Sequence, residues 1–310
     1  MSKKIKNGRV FMTQARSWIS FFFAMLVMGF IWFGCYYATA RYANNALPYF
    51  KYGAFGAITI GIIMLVFNEL IVKISMRAKR VKNRNESPKL WDAVASVTPW
   101  YAHPKPRIYV VDSRGMNAFA FGLGLPFFSA VAATRGIIDE LSSDELRAVM
   151  AHEIGHIINK DILISMAMTI SVMMMAFTGW LMLRVGPYMG RGSRSSSSSK
   201  NKSSEVLALL IIWVVGFVLY VFGRILGSVL QMFVSRQREY AADAKSAAII
   251  GSHKPLCDAL NKITRNPRIG SSEVGAAFGF LCTADPEPSD LMSTHPNLQK
   301  RLLALEALSK

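Results

Sequence analysis

The sequence predicts a mainly α membrane protein with four transmembrane helices, combined with an α+β domain that holds a small sheet and an edge strand. Three observations lead there. Four stretches of about 20 residues are nearly free of charge, the length a helix needs to cross about 30 Å of hydrocarbon. Short runs of β-type residues fall between positions 107 and 134. A helical apolar pattern then runs from Leu146 to Ile158 behind a cluster of capping residues.

The apolar stretches are Trp18 to Ala40, Gly53 to Val72, Ile162 to Leu183 and Val206 to Val229. Any one of them alone could be a buried core helix, but four in 310 residues, 52% of them hydrophobic, read as membrane spans. Lys3, Lys4, Lys6, Arg9 and Arg16 precede the first, as in a signal peptide. That stretch is too long and bulky for one, and no small-x-small cleavage site follows, so an uncleaved anchor is expected. Lys73, Arg77, Lys79, Arg80, Lys82 and Arg84 follow the second span. Basic residues flanking both ends of the pair predict a hairpin with its two ends cytoplasmic. They also give the formal charge of +17 a partner in anionic membrane lipids, and without a recognised binding motif no nucleic acid is expected.

The chain then divides into an N-terminal transmembrane hairpin (1–72), a first soluble part (73–161), a second transmembrane hairpin (162–229) and a second soluble part (230–310). Within the second hairpin, 191–204 is dominated by Ser with Arg and Lys and is expected to be a disordered loop. Its charges conflict with the simplest topology, since Arg184, Arg191, Arg194, Lys200 and Lys202 would lie on the far side. Arg224, inside the fourth stretch, must snorkel or face a protein or water-filled interior. Three cysteines, Cys35, Cys257 and Cys282, are too few and too scattered for a disulfide framework.

In the first soluble part, Arg107–Asp112 reads as a strand, Asn117–Gly124 as an edge strand or loop, and Phe127–Thr134 as another strand. Ser142, Ser143, Asp144 and Glu145 open the helix that contains 152-HEIGH-156. Residues four apart share one helical face, so His152 and His156 can both direct an imidazole at one ion, with Glu153 beside them able to meet a metal-bound water. That pattern points to metal-assisted hydrolysis. A catalytic zinc site takes a third protein ligand. The other histidines are His103, His253 and His295, and none follows at the short spacing of HExxHxxGxxH. The better candidate is Glu239 in 235-SRQREYAADA-244, with Asp243 four residues on to orient a ligand imidazole. A solvated helix with Arg236 and Arg238 as local partners is the alternative for this acidic pair.

HEIGHIINKD, REYAAD and 293-STHPNLQKR-301, together with the NAFA segment at 117–120, resemble the HtpX family of membrane zinc metallopeptidases, gluzincins related to the CAAX prenyl proteases. The resemblance covers nearly the whole chain; the Ser-rich basic insert departs from it. It implies a zincin-like fold, one Zn2+ per chain held by His152, His156 and Glu239, Glu153 as catalytic base, and Asp243 orienting a ligand. It further implies that His295 contributes to catalysis and that Arg301 faces the cleft with substrate. A turn at the start of a helix is the alternative for His295, and a surface position for Arg301. Asn117, Ala118 and Phe119 would belong to the edge strand that pairs with an extended substrate, a plain core strand being the alternative.

The implied activity is cytoplasmic-face cleavage of misfolded or damaged membrane proteins, as quality control in a bacterial inner membrane. Two alternatives stand beside it. One is a dedicated processing protease of the CAAX type; the other is a non-catalytic membrane adaptor with structural zinc, which would have no use for Glu153.

Overall fold

The computed structural model describes residues 7–100, 105–124, 127–189, 202–264 and 296–308. His295, His103, Cys282 and residues 191–201 of the Ser-rich connection lie outside the described residues. Among the described residues, four helical stretches are long and apolar enough to cross a membrane: Gly8–Tyr42, Leu47–Phe67, Asp161–Arg184 and Glu205–Ile250. They belong to helices α1 (Asn7–Tyr42), α2 (Leu47–Ser75), α6 (Asp161–Met189) and α7 (Lys202–Val221) with its continuation α8 (Gly227–Ile250).

One expected boundary is corrected, and one helix proves longer than its apolar stretch. Lys202, Ser203 and Ser204, expected in the loop, form the first turn of α7, where a short run of polar residues is carried by the strongly apolar helix behind it. The helix that carries the fourth span runs on past Val229. A π-helical turn at Phe222–Leu226 joins α7 to α8, and the helical run continues through Glu239 to Ile250. The wider π turn contains Arg224, whose side chain is exposed.

The chain forms two compact units. One comprises Phe21–Met64 and Ser165–Gln231. Its helices pack through small residues, as helices in lipid do where no hydrophobic drive separates partner from solvent. A methyl group on Gly179 of α6 would lie 2.4 Å from the backbone nitrogen of Tyr220 and 2.6 Å from the Gly216 carbonyl oxygen. Large apolar side chains on this unit, among them Phe30, Phe55, Trp213 and Phe217, face outward. In water that surface would be an aggregation hazard; in lipid it is the expected exterior.

The other unit comprises Met1–Ser20, Leu65–Ile164 and Met232–Lys310. Its sheet contains β1 (Lys79–Val81), β2 (Arg107–Val111), β3 (Ala118–Gly122) and β4 (Ser129–Thr134) in the order β1-β2-β4-β3. β2 and β4 run parallel and the other pairs antiparallel. Alternate side chains supply two cores. Ile108, Ala118, Ala120, Val131 and Ala133 join the main core with α3 (Pro88–Val97) and α5 (Ser143–Ile158), while Tyr109, Val111, Phe119, Phe121, Ala130 and Ala132 pack with Val72 of α2 and with Met76 just beyond it. Both faces are covered, which is why β3 and β4 are buried along their whole length. The strand expected over 127–134 begins at Ser129; Phe127 and Phe128 stand outside it, exposed. Short helices α4 (Arg135–Glu140), α9 (Lys254–Ile263) and α10 (Leu298–Ala307) complete the unit.

Helix α5 is fixed at both ends. Ser142 Oγ accepts from the Glu145 amide at 3.2 Å, and a Glu145 carboxylate oxygen accepts from the Ser142 amide at 2.7 Å, a reciprocal cap for two otherwise unpaired donors. Lys262 of α9 also reaches Glu145, at 2.8 Å. At the other end Lys160 adopts a left-handed φ of 64°, which stops α5 and starts α6 one residue later. Ser246 of α8 donates to the Ala148 carbonyl at 2.7 Å and ties α8 to α5.

Candidate metal centre

α5 and α8 bring three donors to one point. His152 and His156 lie one turn apart on α5, and Glu239 reaches them from α8. The two Nε2 atoms are 3.1 Å apart, and each lies 3.5 Å from a different oxygen of Glu239. Four ligands in a tetrahedron around an ion, with bonds of about 2.05 Å, are separated by about 3.3 Å along each edge. Each of these separations is close to such an edge, although the two imidazoles meet different oxygens of Glu239, and one donor atom from each residue lies within 4.8 Å of the other two. The sequence-predicted trio is brought together, with His152 fully buried and Glu239 nearly so.

The outer ring nitrogens explain why the inner ones are available. His152 Nδ1 faces Asp243 Oδ1 at 2.9 Å, and His156 Nδ1 faces Asp161 Oδ2 at 2.6 Å. A carboxylate at Nδ1 holds the proton there and leaves the Nε2 lone pair pointing into the triangle. Two lone pairs and a carboxylate converging in a buried space are a donor set that suits a divalent cation. The same convergence shows in the basicity of the rings. Burial alone would lower both, yet Asp161 and Glu239 raise His156 to about 10, and Asp243 and Glu239 raise His152 as well.

Behind the ligands lies a second tier of charge. Arg301 of α10 is 3% exposed and donates through Nε at 2.9 Å and Nη2 at 2.6 Å to the two oxygens of Asp243. Its Nη1 is 3.4 Å from Glu239 Oε2. Arg301, expected at the substrate cleft, thus has its fork turned onto Asp243 and Glu239. Arg238, next to Glu239, donates to the Asp161 backbone carbonyl at 2.7 Å and to Ser235 Oγ at 3.2 Å. Glu153, on the turn that bears His152, is 1% exposed.

Asp161 was not singled out from the sequence, although it closes the HEIGHIINKD stretch. It lies beyond the left-handed Lys160, so helical spacing from His156 does not place it. Asn117, Ala118 and Phe119 are fully buried at the start of β3, the terminal strand of the sheet. Asn117 is held there by Thr134, whose Oγ1 accepts from the Asn117 amide at 2.9 Å.

Comparison with known proteins finds relatives over most of the chain. The profile of peptidase family M48 matches residues 87–309. A "Protease HtpX homolog" of Leuconostoc citreum is 30% identical over 266 residues, covering 83% of this chain and 86% of the relative. The one from Listeria monocytogenes serotype 4b (strain CLIP80459) is 31% identical over 271 residues, covering 86% and 87%. The crystal structure of S. mikatae Ste24p is similar in fold, with a TM-score of 0.52 at 20% identity, covering 98% of this chain and 67% of that one.

Proposed function

The chain belongs to peptidase family M48 and is a multi-pass membrane metalloprotease, and from that premise we propose that it is a zinc endopeptidase acting on misfolded or damaged membrane proteins at the cytoplasmic face of the inner membrane. The observation that carries the zinc assignment is the convergence of His152, His156 and Glu239, whose donor atoms all lie within 4.8 Å of one another. Imidazole and carboxylate are donors zinc accepts, and three protein ligands leave a fourth position open, as catalytic rather than structural sites require. When bound, zinc would lower the pKa of a water toward about 7 and polarise the scissile carbonyl.

The chain's own residues supply the remaining chemistry. Glu153 takes the proton of the attacking water and delivers it to the leaving amine, so no covalent intermediate is needed. Asp243 and Asp161 hold the two imidazoles in the ligating tautomer. Arg301 balances the charge of Asp243 and Glu239 from behind. β3, at the edge of the sheet, offers a backbone register for an extended substrate, and His295 remains the proposed donor to the oxyanion. The basic flanks of the first hairpin favour the cytoplasmic orientation and contact with anionic lipid.

Glu153→Gln tests the reading. The variant is expected to retain one zinc per chain while cleavage of itself and of an unfolded membrane protein falls by about 10²-fold or more. Unchanged proteolysis in the zinc-loaded variant would remove Glu153 from the mechanism. A wild-type protein that binds zinc and cleaves neither substrate would favour a structural metal in an adaptor.

A further inference from the structure

We propose that the tip of the β3–β4 hairpin, Phe127 and Phe128, is a contact with the lipid bilayer. Turns that close hairpins in water are built from Gly, Asn, Asp, Ser and Pro, with polar side chains turned to solvent. Here the stretch 122-GLGLPFF-128 contains no polar side chain, and Phe127 and Phe128 are 75% and 54% exposed.

The end of the sheet that carries them is tied to two membrane helices. Gly122 pairs with Ser129 and Arg107 with Ala130, so the tip and the start of β2 share one end. Arg107 reaches Glu69 at 2.6 Å, and Glu69 follows the second span, Leu47–Phe67, by two residues. A methyl group on Gly124 would lie 3.4 Å from Cβ of Ile162, the second residue of the third span, Asp161–Arg184. The opposite end, where Val111 pairs with Thr134, is charged instead. Asp112, Arg114, Arg135, Asp139 and Glu140 are exposed there around an open cleft. The sheet therefore has an apolar end in contact with Glu69 and Ile162, where two spans meet this unit, and a charged opposite end, the polarity expected of a domain lying on a bilayer.

Residues on both sides of the turn are held in place. Leu123 donates its amide to the Phe128 carbonyl at 2.8 Å. Gly122 has a φ of +101°, and a methyl group there would meet that same carbonyl oxygen, so only glycine fits. Phe127 itself has a φ of 66°, a conformation that a bulky aromatic residue rarely adopts and that here points to a function for the exposed ring.

The test uses the full chain in vesicles of phosphatidylethanolamine and phosphatidylglycerol. Cys35, Cys257 and Cys282 are replaced by Ser, and a polarity-sensitive dye is attached through Phe127→Cys. Phe128→Cys serves as an independent second site and Asp139→Cys as the control at the charged end. The dye at 127 or 128 is expected to emit as in an apolar medium and to be quenched about twofold or more by nitroxide-bearing lipids. The dye at 139 should emit as in water and remain unquenched. Water-like, unquenched emission at both 127 and 128 overturns the proposal. So does shielding that appears only when an unfolded polypeptide is added, since that would make the tip a substrate contact.

Discussion

Asp161→Ala should weaken zinc binding. The Asp161 carboxylate meets His156 Nδ1 at 2.6 Å with 4% of its side chain exposed, so the contact is short, charge-assisted and dry. A hydrogen bond to a charged group contributes about 1.5–3 kcal/mol. Loss of a carboxylate behind a ligating histidine weakens metal affinity by about 10- to 100-fold, which is about 1.4–2.8 kcal/mol. The two routes agree. The backbone carbonyl of Asp161, not its carboxylate, accepts from Arg238, so truncation leaves the link between α6 and α8 intact. Asp161→Asn keeps an acceptor without charge, and its loss should be roughly half as large in free energy. Equilibrium competition with a chromophoric chelator measures the affinity, and the visible spectrum of the cobalt-substituted protein reports ligand geometry. An Ala variant that binds zinc within about twofold of wild type, with an unchanged cobalt spectrum, would refute the reasoning.

Arg301→Ala leaves Asp243 buried without its bidentate partner and should destabilise the soluble unit by about 3–5 kcal/mol, read as a lowered melting temperature. Lys at that position cannot reproduce the two-pronged contact and should restore less than half. Burial pushes the Glu145 carboxyl up, but Lys262 and the Ser142 amide more than offset this and hold it below the usual value of 4.5. Its contribution is present above the unfolded pKa and lost as pH falls through the lower folded value. Glu145→Gln should therefore cost about 1 kcal/mol at neutral pH, with the difference from wild type disappearing in melting curves as pH falls through the lowered folded value. Gly179→Leu drives a side chain into the Tyr220 and Gly216 backbone and should cost about 1–3 kcal/mol or more. Lower yield of folded protein in detergent and an earlier melt would show it; wild-type stability would mean that the two helices separate freely.

The parts of this architecture that obey a local period were legible in the sequence. The four spans announce themselves by length alone, and the metal helix by Ser142, Glu145 and the spacing of His152 and His156. Glu239 and Asp243 were reachable because two histidines leave a coordination sphere incomplete and four-residue spacing puts both acids on one helical face. What escaped depends on tertiary structure. β1 is three residues long, Lys79–Val81, with two of them charged and exposed, so no alternation marks it. Asp161 sits past a left-handed residue that breaks the helical register. Arg301 finds Asp243 from 58 residues away. The length of the fourth helix was not legible because the helix does not stop where its apolar composition does.

X-ray absorption at the zinc edge tests the central claim most directly. In the purified full chain, the account predicts one zinc bound by two imidazoles and further oxygen ligands at about 2.0–2.2 Å, with stoichiometric zinc lost in Glu239→Ala. A sulfur shell at about 2.3 Å, or wild-type zinc content and spectrum in Glu239→Ala, would contradict it.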